Sequence, residues 1–181
     1  MTKLESAESL AKENISKISS SEERAHRLQH LTNVVNRLKS LKITDDDTLC
    51  AAWLHDALEE KSLSFDDIFL RFGREIAVNV STLTKDLSLS KKDREANYVT
   101  QIKESPINVK LILLCDIAAT LKDLDVSIMS RTAKSKLVKQ KRFYLTVIKK
   151  SLIENVSNQE GITKTIDRIN QDLRKYRQNP V

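Results

Sequence analysis

Glycine and proline are almost missing from these 181 residues, with two of each: Gly73, Gly161, Pro106 and Pro180. A sheet of short strands has little here to build its corners from, and the abundance of Leu, Lys, Ala, Glu and Ser points instead to an all-α fold. Cysteine is equally scarce. Cys50 and Cys115 sit in apolar surroundings without C-x-x-C spacing, which excludes a disulfide framework and a zinc ribbon and fits buried, reduced thiols that are not nucleophiles. No window holds the ~20 apolar residues of a membrane span. The N-terminal MTKLESAESLAKEN is too charged for a signal peptide, so a cytoplasmic protein without a membrane partner is expected. Aromatics are few as well, one Trp, three Tyr and four Phe, and none interleaves with basic residues as a base-stacking surface would, which argues against nucleic acid as the partner.

What is present fits one domain, long enough to bury roughly 70 % of its unfolded surface. Basic residues outnumber acidic ones, 31 to 25, for a net charge of +6. Much of the excess lies between Lys134 and Lys150. A surface of that sign attracts anions, and phosphorylated small molecules suit it, although most such lysines simply keep a helix face solvated.

Helical patterns follow one another along the chain. Ser20 to Glu23 reads as a capping box ahead of an apolar stripe, Leu28, Leu31, Val34, Val35 and Leu38, with His30 in the middle of the helix. Thr44 caps the next helix, whose first turn carries Asp45, Asp46 and Asp47 where the macrodipole favours them and which continues through AAWLHDALEE, residues 51–60. Ser64 and Asp67 open another that stops at Phe72-Gly73; a further helix reaches about Thr84, and one spans about 91–104 before Ser105-Pro106. Residues 107–124, INVKLILLCDIAATLKDL, are apolar on nearly every side, and their length favours a buried helix over a buried strand. The stretch 127–178 reads as two or three amphipathic helices broken at Asn158 to Gly161, closing the core.

Three places combine ionisable chemistry with apolar surroundings: His30, His55-Asp56 and Asp116. A buried carboxylate without a partner costs several kcal/mol. A divalent cation would satisfy all of them together, since imidazole nitrogen and carboxylate oxygen suit Mn²⁺, Fe²⁺ or Zn²⁺. Two histidines and two aspartates also leave positions for water, as in a catalytic site. Glu59 and Glu60 follow His55 and Asp56 by four residues each, one helical turn on, and could orient or deprotonate that water. Singly, each of these residues has a plainer account as a satisfied structural group or a solvated acid.

Together they form the H…HD…D pattern of the HD-domain phosphohydrolases. AAWLHDALEE resembles the A-A-L-L-H-D-x-x-E-D segment of the RelA/SpoT-type hydrolase domain and of the stand-alone small alarmone hydrolases. FDDIFLRFGREIAVNVSTLTKD looks like that family's acidic helix, F-G turn and V-x-x-L-T run, and KKDREANYVTQI like its R-x-x-x-Y helix. The separations, 25 positions from His30 to His55 and 60 from Asp56 to Asp116, are similar too. The resemblance covers about residues 24–125. It implies a single-domain HD helical bundle over 1–181, with its motif-bearing core in about 20–125 and C-terminal helices in about 127–178. It also implies a metal centre, manganese in most members, at His30, His55, Asp56 and Asp116, with Glu59 and Glu60 handling the nucleophilic water. The activity implied is hydrolysis of the 3′-pyrophosphate of guanosine tetra- and pentaphosphate, in the stringent response. Arg27, Lys61, Arg94 and Tyr98 become candidates for binding the phosphorylated nucleotide, and the resemblance leaves room for a homo-oligomer.

The chain departs from the family pattern around its last ligand. Leu113 stands where the family carries a lysine, Ile117 where it carries a basic residue, and Thr120, kept as a substrate-binding candidate, where it carries an asparagine. Before His30, the family's H-x-x-Q-x-R-x-x-G-x-P-Y-x-x-H loop is replaced by SSSEERAHRLQH, which has Arg24, His26 and Arg27 but no Gly, Pro or Tyr. These departures motivate two alternatives: a phosphatase for another nucleotide (a dNTP, a nucleoside monophosphate or NADPH), and a non-catalytic HD domain that senses a nucleotide.

Overall fold

The structure, a computed structural model, describes all 181 residues as nine α-helices and no strand. In chain order they are α1 (Lys3–Ser16), α2 (Ser21–Ser40), α3 (Asp46–Leu54), α4 (Phe65–Phe72), α5 (Arg74–Leu83), α6 (Lys91–Glu104), α7 (Ile107–Asp123), α8 (Arg131–Asn155) and α9 (Gln159–Lys175). The all-α expectation holds. No helix is long and apolar enough to cross a membrane.

The apolar run 107–124 is the helix at the centre. α7 begins on Pro106, whose fixed φ suits a helix start. From Val109 to Ala119 every residue is buried, and the helix packs against α2, α3, α5, α8 and α9. Each Leu or Ile it buries contributes roughly 1.5–3 kcal/mol of transfer free energy, so neighbours on all sides are what this sequence requires. One continuous cluster of 44 buried apolar residues runs through the molecule, which makes it a single domain.

Helix starts follow local chemistry, with two corrections. Asp45, not Thr44, caps α3, its carboxylate accepting from the Thr48 amide at 2.8 Å and the Thr48 hydroxyl at 2.6 Å. Ser20 caps α2 by accepting from the Glu23 amide at 3.2 Å, but Glu23 returns no bond and pairs instead with Arg27 at 3.1 Å, so the box is half made. The Ser64–Asp67 box ahead of α4 is complete. Gly73 stands between α4 and α5 at φ 90° and ψ 175°, a conformation that L side chains rarely adopt. The C-terminal stretch forms two helices, with Asn158 capping α9 through the Gly161 amide.

The larger correction concerns AAWLHDALEE. α3 ends at Leu54, and His55 to Glu60 form a succession of turns held by bonds such as Ala57 N–H to Leu54 O and Ser62 N–H to Ala57 O. Lys61 then adopts a left-handed φ of 55°. His55 itself keeps helical dihedrals, φ −60° and ψ −28°, so the chain departs from the helix only beyond it. The N-terminal stretch, unassigned from sequence, forms α1, with a Thr2–Glu5 capping box and Ala7, Leu10, Ala11 and Ile15 buried, largely against α3.

Candidate metal centre

The four expected ligands come from three places in the fold and meet in space. His30 lies midway along α2, His55 and Asp56 follow α3, and Asp116 lies in α7. Donor atoms of His30, His55 and Asp56 all lie within 4.8 Å of one another. Asp116 joins them through Oδ1, 3.3 Å from His30 Nε2 and 4.0 Å from His55 Nε2.

Each imidazole is aimed by a bond on its far side. His55 Nδ1–H donates to the Ala52 carbonyl at 2.8 Å, which in the neutral imidazole makes Nε2 the lone-pair nitrogen. That Nε2 is buried and has no hydrogen-bond partner, although Asp56 Oδ1 stands 3.1 Å away. Two lone-pair atoms at that distance repel unless a proton or a metal cation lies between them. Metal–ligand bonds of about 2.1 Å at right angles would set neighbouring donors about 3.0 Å apart, so the spacing suits a shared ion. His30 Nδ1 faces Asp123 Oδ2 at 3.2 Å, the carboxylate–histidine arrangement that orients metal-binding imidazoles. The donor set and its orphaned nitrogen fit a divalent cation.

In the absence of metal a proton takes the cation's place. Burial acts to lower the His30 pKa, but the hydrogen bonds with Asp116 and Asp123 and the charges of Asp116 and Asp56 outweigh it and raise it to about 9. Burial likewise opposes ionisation of Asp116, yet the Lys141 ammonium and His30 hold its carboxyl well below the usual range. Lys141 Nζ lies 2.6 Å from Asp116 Oδ2, and the Thr120 hydroxyl donates to Oδ1 at 3.1 Å.

Three cavities border the cluster, one of them a groove of about 430 Å³ toward α1 that takes in Arg27, Asp56 and Glu60. A cleft of about 370 Å³ is lined by Arg27, His30, Asp56, Glu60, Thr120 and Asp123 among others. A smaller one of about 200 Å³ holds His55, Asp56, Glu59, Tyr98, Asp116 and Lys141. The structure therefore separates Glu59 from Glu60, which the helical reading had as a pair. Glu59 enters the small cavity and makes no ion pair; Glu60 faces the cleft and is ion-paired with Arg27.

The remaining candidates divide. Arg27 lies in the cleft and Tyr98 in the small cavity, buried, with its ring edge-on to Tyr144 at 5.1 Å. Burial, with Asp116 and Glu59 nearby, pushes the Tyr98 phenol up. Lys61 lines the groove toward α1, whose wall it shares with Arg27, Asp56 and Glu60. Arg94 is elsewhere: its guanidinium donates to the carbonyls of Asp86, Leu87 and Leu89 at 3.2, 3.2 and 3.0 Å, bracing the loop before α6. Burial pushes both thiols, Cys50 and Cys115, up to about 12, in line with inert cysteines.

Sequence reasoning missed Asp123, Lys141 and the group around Glu95. Asp123 was legible in principle, since Asp116, Thr120 and Asp123 recur at four and seven positions along one helix face. Nothing in the sequence singled out Lys141 from the lysines of α8. Glu95 accepts from Lys85 and Gln140 at 2.9 Å each and from the Tyr144 hydroxyl, closing the wall of the small cavity. Burial opposes ionisation of Glu95, and these bonds lower its pKa nonetheless.

A helical bundle that gathers His30, His55-Asp56 and Asp116 around one point is the architecture of a metal-binding HD domain, and the HD domain family model matches residues 7–144. The chain belongs to the HD-domain family. Among its relatives, guanosine-3′,5′-bis(diphosphate) 3′-pyrophosphohydrolase MESH1 of Drosophila melanogaster is 36% identical over 101 residues, 55% of this chain and 56% of that protein. MESH1 of Homo sapiens is 36% identical over 83 residues, 46% of each chain. The matches thus span about half the length of these relatives. The fold extends further: a solved structure described as a metazoan ortholog of SpoT that hydrolyzes ppGpp superposes with a TM-score of 0.69 at 23% identity, over 93% of this chain and 96% of that one. The structure of lmo0812 from Listeria monocytogenes EGD-e superposes at 0.59, with 20% identity, over 80% and 99%.

Proposed function

We propose that this protein is a metal-dependent phosphohydrolase that removes the 3′-pyrophosphate from guanosine tetra- or pentaphosphate. The observation that carries the reading is the buried Nε2 of His55, without a hydrogen-bond partner and converging with His30, Asp56 and Asp116 beside an open cleft. The names of the MESH1 relatives support the substrate class.

His30, His55, Asp56 and Asp116 would hold the cation. Once bound, it acts as a Lewis acid toward phosphoryl oxygen and makes water acidic enough to serve as nucleophile near neutral pH. Glu59, free of ion pairs, accepts the proton the water gives up. Arg27, ion-paired with Glu23 and Glu60 at the cleft, would exchange one of these carboxylates for a phosphate oxygen of the substrate. About 370 Å³ is within the range of nucleotide-sized sites. Manganese is the ion expected, supported by the mixed imidazole–carboxylate donors. The free thiols of Cys50 and Cys115 support a reducing, cytoplasmic setting, and a role in an alarmone response follows from the substrate.

One observation favours a second reading, a phosphatase for NADPH, a dNTP or a nucleoside monophosphate. Leu113 and Ile117 are buried and apolar, and the Thr120 hydroxyl is spent on Asp116, so these positions offer a nucleotide fewer polar contacts than the family pattern does. Incubation of purified protein and Mn²⁺ with ppGpp, NADPH, dNTPs and nucleoside monophosphates tests both. Turnover of ppGpp, lost in His55→Ala, is expected. Turnover of another member of the panel alone selects the second reading, and tight binding without turnover of any selects a nucleotide sensor.

A further inference from the structure

Asp116 already has a cation of its own. Lys141, from α8, places Nζ 2.6 Å from Asp116 Oδ2, and the two side chains are only 16% and 12% exposed. The other oxygen, Oδ1, accepts from Thr120 and faces His30 and His55. The carboxylate is thus shared between two sides, with α8 holding one oxygen and the imidazoles facing the other.

We propose that Lys141 is a positioning residue that competes with the metal for Asp116: it preforms the site in the metal-free protein and, in doing so, weakens the metal's hold. The inference rests on the assignment of the four ligands above. A carboxylate buried this deeply is costly to leave unpaired, and Lys141 removes that cost before any metal arrives, so Asp116 need not be reoriented when it does. A divalent ion beside Oδ1 then shares one carboxylate with the ammonium, and two cations at such range repel. The coupling is reciprocal: the affinity that Lys141 takes from the metal equals the pairing that the metal takes from Lys141.

No other lysine or arginine pairs with Asp116, and the imidazoles face only its other oxygen. Lys85, the other cation of the small cavity, is committed to Glu95 at 2.9 Å. Leu113 lines the same cavity with an apolar side chain. The consequence is a ready-made, exchangeable metal centre in place of one that holds its ion permanently.

Calorimetric titration of Mn²⁺ into the metal-free full-length protein tests this. Lys141→Met should bind Mn²⁺ about tenfold more tightly than the wild type. Its metal-free melting temperature should fall, so that Mn²⁺ raises the Tm by more than it does in the wild type. Lys141→Arg keeps the charge and should bind as the wild type does. If Lys141→Met does not fold, Lys141→Gln, which retains an N–H donor without the charge, should show the same tightening. Equal or weaker binding in the uncharged variants overturns the proposal while leaving the metal centre intact. A wild type that binds no Mn²⁺ overturns the ligand assignment itself, and this proposal with it.

Discussion

His55 donates from Nδ1 to the Ala52 carbonyl three residues earlier, at 2.8 Å, and by that bond turns Nε2 toward Asp56, 3.1 Å away. A main-chain carbonyl at the end of α3 thereby orients the imidazole of a proposed ligand in the adjoining turn. The orientation needs no metal to form, so a preformed site is expected in the free protein.

Replacing Asp123 tests the equivalent arrangement on His30. Asp123→Ala removes the oxygen that aims Nδ1 and should weaken metal binding by about 10–100-fold. Far-ultraviolet circular dichroism should not change, because Asp123 is the last residue of α7 and not part of the apolar core. Calorimetry with Mn²⁺ reads the first effect, and affinity equal to the wild type's would show that His30 needs no such support.

Asp116→Asn should act on both stability and metal. It leaves the Lys141 ammonium without its carboxylate in a largely buried place, and breaking such a pair costs about 3–5 kcal/mol. Chemical denaturation of the metal-free variant measures that loss, and metal analysis after gel filtration should find no retained ion.

The pH dependence follows from His30, whose pKa is raised from 6.5 to about 9 in the metal-free protein. A raised pKa contributes stability that is complete below the unfolded value of 6.5 and is lost as pH climbs through about 9. The contribution is about 3 kcal/mol by linkage. Metal must displace this proton, so its affinity should rise about tenfold per pH unit up to the His30 pKa and level off above it. Titrations in buffers of different ionisation enthalpy should report about one proton released per ion at neutral pH.

Arg94→Ala separates the structural reading of that residue from the nucleotide-binding one. With three loop carbonyls losing their donor, the segment from Asp86 to Leu89 should become a site of proteolytic cleavage. Mn²⁺ affinity and substrate KM should stay at wild-type values. A raised KM would return Arg94 to the binding site.

The all-helical class, most helix boundaries and the four proposed ligands were legible in the amino-acid sequence, because each rests on local or periodic chemistry. Scarce glycine and proline, hydroxyl and carboxylate caps, and apolar recurrence act over a few residues. Ionisable groups embedded in apolar runs announce a burial cost that something must offset. His30, His55, Asp56 and Asp116 drew notice on that ground, and the H…HD…D pattern they form together joined them into one site.

What tertiary structure decided is everything that depends on where one helix meets another. The end of α3 at Leu54 was invisible locally, since AAWLHDALEE has good helix formers throughout; beyond it Glu59 and Glu60 go to different cavities. Lys141 reads as one more lysine on a basic helix until α8 packs against α7 and sets its ammonium on Asp116. Arg94, conspicuous in its motif, turns inward to its own loop. Sequence patterns report which groups are too costly to bury alone, and packing alone determines which partner each of them finds.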